Sequence, residues 1–420
     1  MYFSIIPHPG GFSAQLLQFN SYYKLGKALD MDYYHQEFFS ARTDGIKKTK
    51  GNSIFDFLGI NQYFLERNPT IQLEQFKIVQ IPLDFYTLKL SRVNSFEKLK
   101  KYVLKKIQKF QSPDLQLLLV FSMKPAKPTN DGIVRKTMIV ALKFLNRINP
   151  YGIRINKYLW LFKLINSEET LIRPELLILY RKSLNVLKRQ KKSINSVFVH
   201  IRRGDTAIIK TKSKKFVSVL PSYRYRFRPF TTIQEVNLNY ISSDSYFQLL
   251  EKVQLSNKSG LNLFLFSDGF HRTSIQIDAF LENVDAENQT IADLNEWNWE
   301  SYQKEEFAQF DTLTNCQQII GESQEKLQNL IVELFNSKVV ICGSNLRMIP
   351  QLISILFTKE TMPILIVVCA SKEPNFELIG LNSINEKVFM VHVDERFDDD
   401  CIAVSNFLSK SSVFDQNEIG

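Results

Sequence analysis

Short apolar runs recur along this chain, and between them the apolar positions return every three or four residues. Tyr2 to Pro7 reads as a strand that stops at Pro9-Gly10-Gly11. From Phe12 to Leu29 the residues Phe12, Leu16, Phe19, Tyr23, Leu25 and Leu29 fall near helical spacing. The chain thus opens as strand, glycine turn, helix. Lys77–Pro82 and Leu115–Ser122 read as strands, Ser95–Phe110 and Asp131–Asn149 as helices, and Pro174 fits the first turn of a helix running to about Gln190. A second series starts at Ser196. Ser196–Ile201 and Leu261–Phe266 are buried-strand runs, with a helix from Ser242/Ser243 through Val253 between them. Helix Glu322–Ser337, strand Lys338–Cys342, helix Asn345–Phe357 and strands Met362–Cys369 and Lys387–Val393 follow. Strands alternating with helices predict an α/β fold with parallel sheets. A boundary falls within 185–195, where Lys188-Arg-Gln-Lys-Lys-Ser193 lacks apolar anchors. The expected organisation is two doubly wound, Rossmann-type domains facing a cleft, 1–190 and 195–395, with a tail over 396–420.

Composition narrows the function classes. The 420 residues suffice for two to three domains, and 44% hydrophobic with 23% charged residues is ordinary globular usage. Net charge is +10, but it is concentrated. Arg181–Phe230 holds 15 of the 53 Lys/Arg and one of the 43 acids (Asp205), leaving 38 basic and 42 acidic groups elsewhere. A general coat for nucleic acid is thereby excluded. No apolar run reaches the length of a bilayer span, and the first residues lack the basic start and long apolar middle of a signal peptide. Cys316, Cys342, Cys369 and Cys401 show no CxxC pairing and read as reduced core residues. The expected location is cytoplasmic.

Ligands of open parallel sheets bind at the carboxyl ends of the strands. Three strands of the second half end in informative residues: His200-Ile201-Arg202-Arg203-Gly204-Asp205, Ser267-Asp268-Gly269 and Gly343-Ser344-Asn345. Strand alternation sends His200 and Arg202 the same way. Two guanidiniums and an imidazole at one strand end make an anion site, and Arg presents the bidentate fork that fits phosphate oxygens. Gly343-Ser344 ahead of a helix adds backbone N–H groups and a hydroxyl, a second phosphate cradle. Together they would hold a diphosphate without a metal.

The sequence His200-Ile-Arg-Arg-Gly-Asp205 resembles the signature of the fucosyltransferase superfamily that includes α1,2-, α1,6-, nodulation and protein O-fucosyltransferases. Gly10-Gly11-Phe12-Ser13-Ala14-Gln15-Leu16 is similar to that family's opening loop and helix, Phe266-Ser267-Asp268 to its second motif, and Cys342-Gly343-Ser344 to its third. The resemblance implies a GT-B fold and an inverting, metal-independent enzyme without a cofactor. Its donor would be GDP-fucose, held mainly by the C-terminal domain, and its acceptor a glycan or glycoconjugate hydroxyl. It implies that Arg202 binds the β-phosphate and neutralises departing GDP, that His200 and Ser344 assist at the diphosphate, that Arg203 and Asp205 shape the loop, and that Asp268 lies near the nucleoside. Gly343, Gly10, Gly11 and Gln15 complete the donor site by the same resemblance. Two positions depart from the pattern. Ala14 stands where the family carries Asn, and Thr206-Ala-Ile-Ile-Lys210 lacks the Glu that serves the α1,6 branch as base. Asp44 and Glu74 are carboxylates without motif support.

Rival readings stay open at this level. The same fold could use another GDP-sugar, or serve as a silent nucleotide- or glycan-binding protein. The basic aromatic stretch Lys210–Phe230 alternates Tyr223, Tyr225 and Phe227 with Arg224, Arg226 and Arg228. It fits a lid or acceptor loop, a solvated loop, or, less well, a single-strand nucleic-acid surface. The acidic segment Asp394–Asp400 reads as solvated rather than as a metal site.

Overall fold

The computed structural model describes residues 1–6, 12–35, 54–68, 75–83, 88, 91–110, 116–122, 161, 164–165, 174–188, 195–203, 208–210, 216–218, 231–232, 241–255, 261–281, 294–321, 323–344, 348–357, 360–370 and 386–411. The chain divides into two compact units. One is Met1–Val186 with Pro350–Glu360 and Asn375–Ser383; the other is Leu187–Ile349 with Thr361–Pro374 and Ile384–Gly420. The chain first passes from one unit to the other at 186/187. The helix expected over 131–149 lies outside the described residues.

The first unit is built on a parallel sheet of β1 (Tyr2–Ile6), β2 (Asp32–Tyr33), β3 (Phe76–Pro82) and β4 (Gln116–Ser122), ordered β2-β1-β4-β3. Helix α1 (Phe12–Lys27) returns the chain from β1 to β2, and Gly26 lets it lie directly on the ring of Phe3. Phe3, Phe19, Tyr23, Tyr33 and Phe121 form a buried aromatic cluster with centroid separations of 5.1–6.1 Å. Short helices α2 (Ile54–Phe57) and α3 (Ile60–Leu65) carry a polar chain into this core. Asn61 Nδ2 donates to Asp56 Oδ1 (2.6 Å), so Asn61 Oδ1 must accept from His35 Nε2 (2.9 Å), and His35 Nδ1 accepts from the Tyr33 hydroxyl (2.9 Å). The carboxylate fixes every proton along the chain. Helix α4 (Phe96–Gln108) is capped by Ser95, whose hydroxyl accepts from Lys98 N. Helix α5 (Pro174–Lys188) follows, with the Tyr180 hydroxyl on Asn20 Oδ1 at 3.3 Å.

The second unit holds a six-stranded, wholly parallel sheet of β5 (Ser196–His200), β9 (Asn262–Ser267), β10 (Cys316–Ile320), β11 (Val339–Gly343), β12 (Ile364–Cys369) and β13 (Val388–His392). Its order is β10-β9-β5-β11-β12-β13. Counted along the chain this is third, second, first, fourth, fifth, sixth, the doubly wound order whose direction reverses between the first strand and the fourth. The α/β, parallel-sheet expectation therefore holds in both units. The four inner strands are buried along nearly their whole length, as continuous apolar runs with both faces covered must be. Val197, Val199 and Ile201 enter one core with Tyr246 of α6 (Ser243–Lys252), Phe307 of α8 (Trp299–Phe307) and Val404 of α11 (Phe397–Lys410). Phe198 alternates with these, and its ring stacks on Phe266 at 4.9 Å.

The remaining helices are α7 (His271–Leu281), α9 (Gln324–Asn336), capped by Ser323, and α10 (Met348–Leu356). Two expectations change. The tail expected from 396 begins as α11, which buries Cys401, Val404 and Leu408 in this core. Its acidic start is not simply solvated: Asp400 bonds His392 Nδ1 (2.9 Å), Asp398 bonds Lys252, and Asp394 holds Arg396, with the aspartates in the first turn of the helix, where the dipole favours them. The stretch after the Arg motif includes β6 (Ile208–Lys210), β7 (Phe216–Ser218) and β8 (Thr231–Thr232), an antiparallel sheet rather than a continuous loop. Tyr223 through Arg228 lie outside the described residues.

Candidate functional site

The strand order brings the three expected motifs to neighbouring strand ends. His200 ends β5, Gly343 ends β11, and these neighbouring strands flank the reversal point; β9, ending at Ser267, flanks β5 on its other side. Arg202, Arg203, Asp268 and Ser344 follow those strand ends directly.

The two arginines have different surroundings. Arg203 is 2% exposed, and its Nε and Nη2 donate to Glu306 Oε1 of α8 at 2.9 and 2.7 Å. Nη1 donates to the carbonyl of Arg202 at 3.0 Å, and the Arg203 backbone N–H donates to Asp268 Oδ1 at 2.6 Å. One acid thus holds the side chain and another holds the backbone of the same residue, which fixes the turn that presents Arg202. Three of the five guanidinium N–H groups of Arg203 are thereby engaged within the protein.

Arg202 is half-buried, and its charge is felt by the adjacent imidazole. His200 is 3% exposed, and its pKa is lowered to about 4, chiefly by burial, with Arg202 adding to the effect and Asp268 opposing it. The imidazole is therefore neutral at pH 7. It offers hydrogen bonds rather than charge. Its Nδ1 is buried with no hydrogen-bond partner among the described residues. A buried nitrogen left unpaired costs about 1–3 kcal/mol.

Asp268 spends an oxygen on the Arg203 turn. Gly269 follows at φ +69°, a left-handed conformation suited to glycine, and turns the chain into α7. The Ser344 N–H donates to Val368 O at 2.7 Å, extending the ladder with β12, so this N–H is not part of a phosphate cradle. Helix α10 is described from Met348, and 345–347 lie outside the described residues. Gln15 is buried on α1 of the first unit. Gly10, Gly11, Asp205, Asp44, Glu74 and the Thr206–Ala207 part of the base-lacking segment also lie outside the described residues.

Glu306 was not anticipated. It sits on α8 (WESYQKEEF), whose sequence has no apolar stripe to announce a helix, and three residues after Gln303, whose Oε1 accepts from Phe270 N at 3.2 Å. The i,i+3 spacing puts Gln303 and Glu306 on one face, toward the strand ends. A polar pair at that spacing beside Phe307 was the available signal.

No protein-family model matches the chain, and no curated protein does. Among solved structures it is similar to a glycosyltransferase from Rickettsia africae ESF-5, with 10% identity, a TM-score of 0.28, and coverage of 98% of this chain and 92% of that one. It is similar to POFUT1 in complex with GDP-fucose at 11% identity and a TM-score of 0.37, over 87% of this chain and 97% of that one. A variant of Arabidopsis thaliana FUT1 in complex with GDP matches at 11% identity and a TM-score of 0.29, over 84% and 68%. At such scores these likenesses add nothing to what the chain's own residues support.

Proposed function

We propose that this chain is a glycosyltransferase that moves fucose from GDP-fucose to a hydroxyl of a glycan or glycoconjugate, inverting the anomeric centre without a metal. The observation that carries the reading is the pairing of Arg202 with the neutral, orphaned imidazole of His200 at the reversal point of the sheet. The Arg-Arg-Gly-Asp motif supplies the choice of a GDP-sugar.

Breaking the sugar–phosphate bond puts negative charge on the β-phosphate and leaves an oxocarbenium-like sugar. Arg202 receives the charge, and His200 donates one N–H to the diphosphate. Glu306, Arg203 and Asp268 act as positioning residues that keep Arg202 in place. A donor aimed at developing charge is typically worth ~3–4 kcal/mol, so Arg202→Ala should slow turnover about 100- to 1,000-fold. Attack by the acceptor hydroxyl from the opposite face inverts the centre. A dissociative transition state asks mainly for leaving-group stabilisation, which fits a site without an assigned general base.

The test is release of GDP from GDP-fucose, with GDP-mannose as comparison and with chelator present. Turnover that survives chelator and collapses in Arg202→Ala supports the reading; turnover indifferent to Arg202 refutes it. Ala14 and the missing Glu favour a second reading, a silent nucleotide-binding protein. GDP binding through Arg202 with no turnover on any acceptor would select it.

A further inference from the structure

Helix α4 carries a feature unrelated to the strand ends. Phe96–Phe110 contains six Lys, one Glu and no Arg. Phe96, Leu99, Val103 and Ile107 are buried and fix which side of the helix faces the protein. At 100° per residue, Lys98, Lys101, Lys105 and Lys109 fall within an arc of about 80° on the opposite side, in a row about 16 Å long. All four are exposed. The single acid, Glu97, is engaged by Lys100 at 2.5 Å and neutralises that lysine rather than the row. One apolar side chain borders the row in the open, Leu104 at 42% exposure.

We propose that this face of α4 rests on an anionic lipid surface. Three observations select that occupant. The cations are all lysines, strongly hydrated point charges that suit a diffuse negative plane; the planar guanidinium fork that reads individual phosphates and bases is absent from the helix. The row is straight and one-sided, so every ammonium reaches a plane at once. Leu104 provides the apolar edge that enters the headgroup boundary, which an acidic protein or a nucleic acid would leave in water. No helix among the described residues is long and apolar enough to cross a membrane, so the contact is peripheral. The proposal does not rest on the glycosyl-transfer reading.

The test uses the full chain and sedimentation with vesicles of phosphatidylcholine alone or with about one-third phosphatidylglycerol. The chain should bind only the anionic vesicles, and less as salt is raised. Each lysine near such a surface contributes a factor of about five, so Lys98→Gln/Lys101→Gln/Lys105→Gln should weaken partitioning about 100-fold. Glutamine keeps the helix, and an unchanged melting temperature checks this. If the triple variant fails to fold, Lys101→Gln alone should still lose about fivefold. No binding to anionic vesicles overturns the proposal. So does binding that ignores these lysines, as would follow if the 181–230 stretch made the contact. Equal loss of binding to single-stranded DNA or polyglutamate, with vesicles unbound, overturns it in favour of another partner.

Discussion

Removing Glu306 is the perturbation with the largest effect that the site's geometry predicts. Glu306 Oε1 takes two N–H groups from Arg203, at 2.9 and 2.7 Å, and Arg203 is 2% exposed. In Glu306→Ala the guanidinium stays buried and loses its counter-charge. Stripping one partner from a buried pair costs about 3–5 kcal/mol, against about 0–1 for an exposed pair. For a unit of this size each kcal/mol moves the melting temperature by about 2–4 °C, so the expected drop is about 10 °C or somewhat more. Differential scanning calorimetry reads it. Glu306→Gln keeps an acceptor oxygen and should lose less, while Arg203→Met/Glu306→Leu removes both charges and should recover most of the loss. A second readout separates positioning from mere stability. Well below the melting temperature, Glu306→Ala should weaken GDP binding although the carboxylate does not touch GDP. Glu306→Asp should restore part of that binding. A cost below about 1 kcal/mol in Glu306→Ala would refute the claim that the pair is buried and structural.

Further outcomes follow from the buried imidazoles and from one glycine. His200 and His35 both have folded-state pKa values lowered from 6.5 to about 4, each chiefly by burial. Above pH 6.5 neither folded nor unfolded chain protonates them; below it the unfolded chain takes up protons first, so stability is lost as pH falls from about 6.5 to 4, by about 3 kcal/mol per group. Denaturant titrations across that window should show the fall, and His200→Phe should lessen its slope. Flat stability between pH 7 and 5 would contradict the burial of both rings. Gly26→Ala tests the packing of α1: helix propensity alone favours alanine by about 1 kcal/mol, but its Cβ would overlap the ring of Phe3, itself wedged among Tyr23, Tyr33 and Phe121. Overpacking should win and destabilise by about 1–3 kcal/mol, readable in a chemical melt. A stabilised variant would show that the aromatic cluster has room to yield.

The inner strands were legible because burial on both faces demands unbroken apolar runs. Ser196–His200, Ile364–Cys369 and Val339–Gly343 read from sequence to within one or two residues. The edge strand β10 was not legible: Cys316-Gln-Gln-Ile-Ile320 is half-exposed, and two glutamines interrupt the apolar signal. Helix α8 was hidden for a related reason, since only Phe307 of its nine residues is buried. The cap at Ser242 was legible, and Ser95, Ser242 and Ser323 each accept a bond from the backbone three residues on. At the site, sequence located Arg202 and His200 at a strand end but could not assign charge to partners. The counter-ion of Arg203 lies 103 residues away on an element that was itself unseen. The neutrality of His200 likewise depends on burial, which a motif does not carry.

The central claim is that Arg202, held by the Arg203–Glu306–Asp268 arrangement, binds a diphosphate at the reversal point of the second sheet. Isothermal titration of GDP and of GMP into wild-type protein and Arg202→Ala tests it most directly. The account predicts that wild type prefers GDP and that Arg202→Ala loses about 100-fold or more in GDP affinity while GMP affinity changes little. Equal GDP affinity in the two proteins would contradict it.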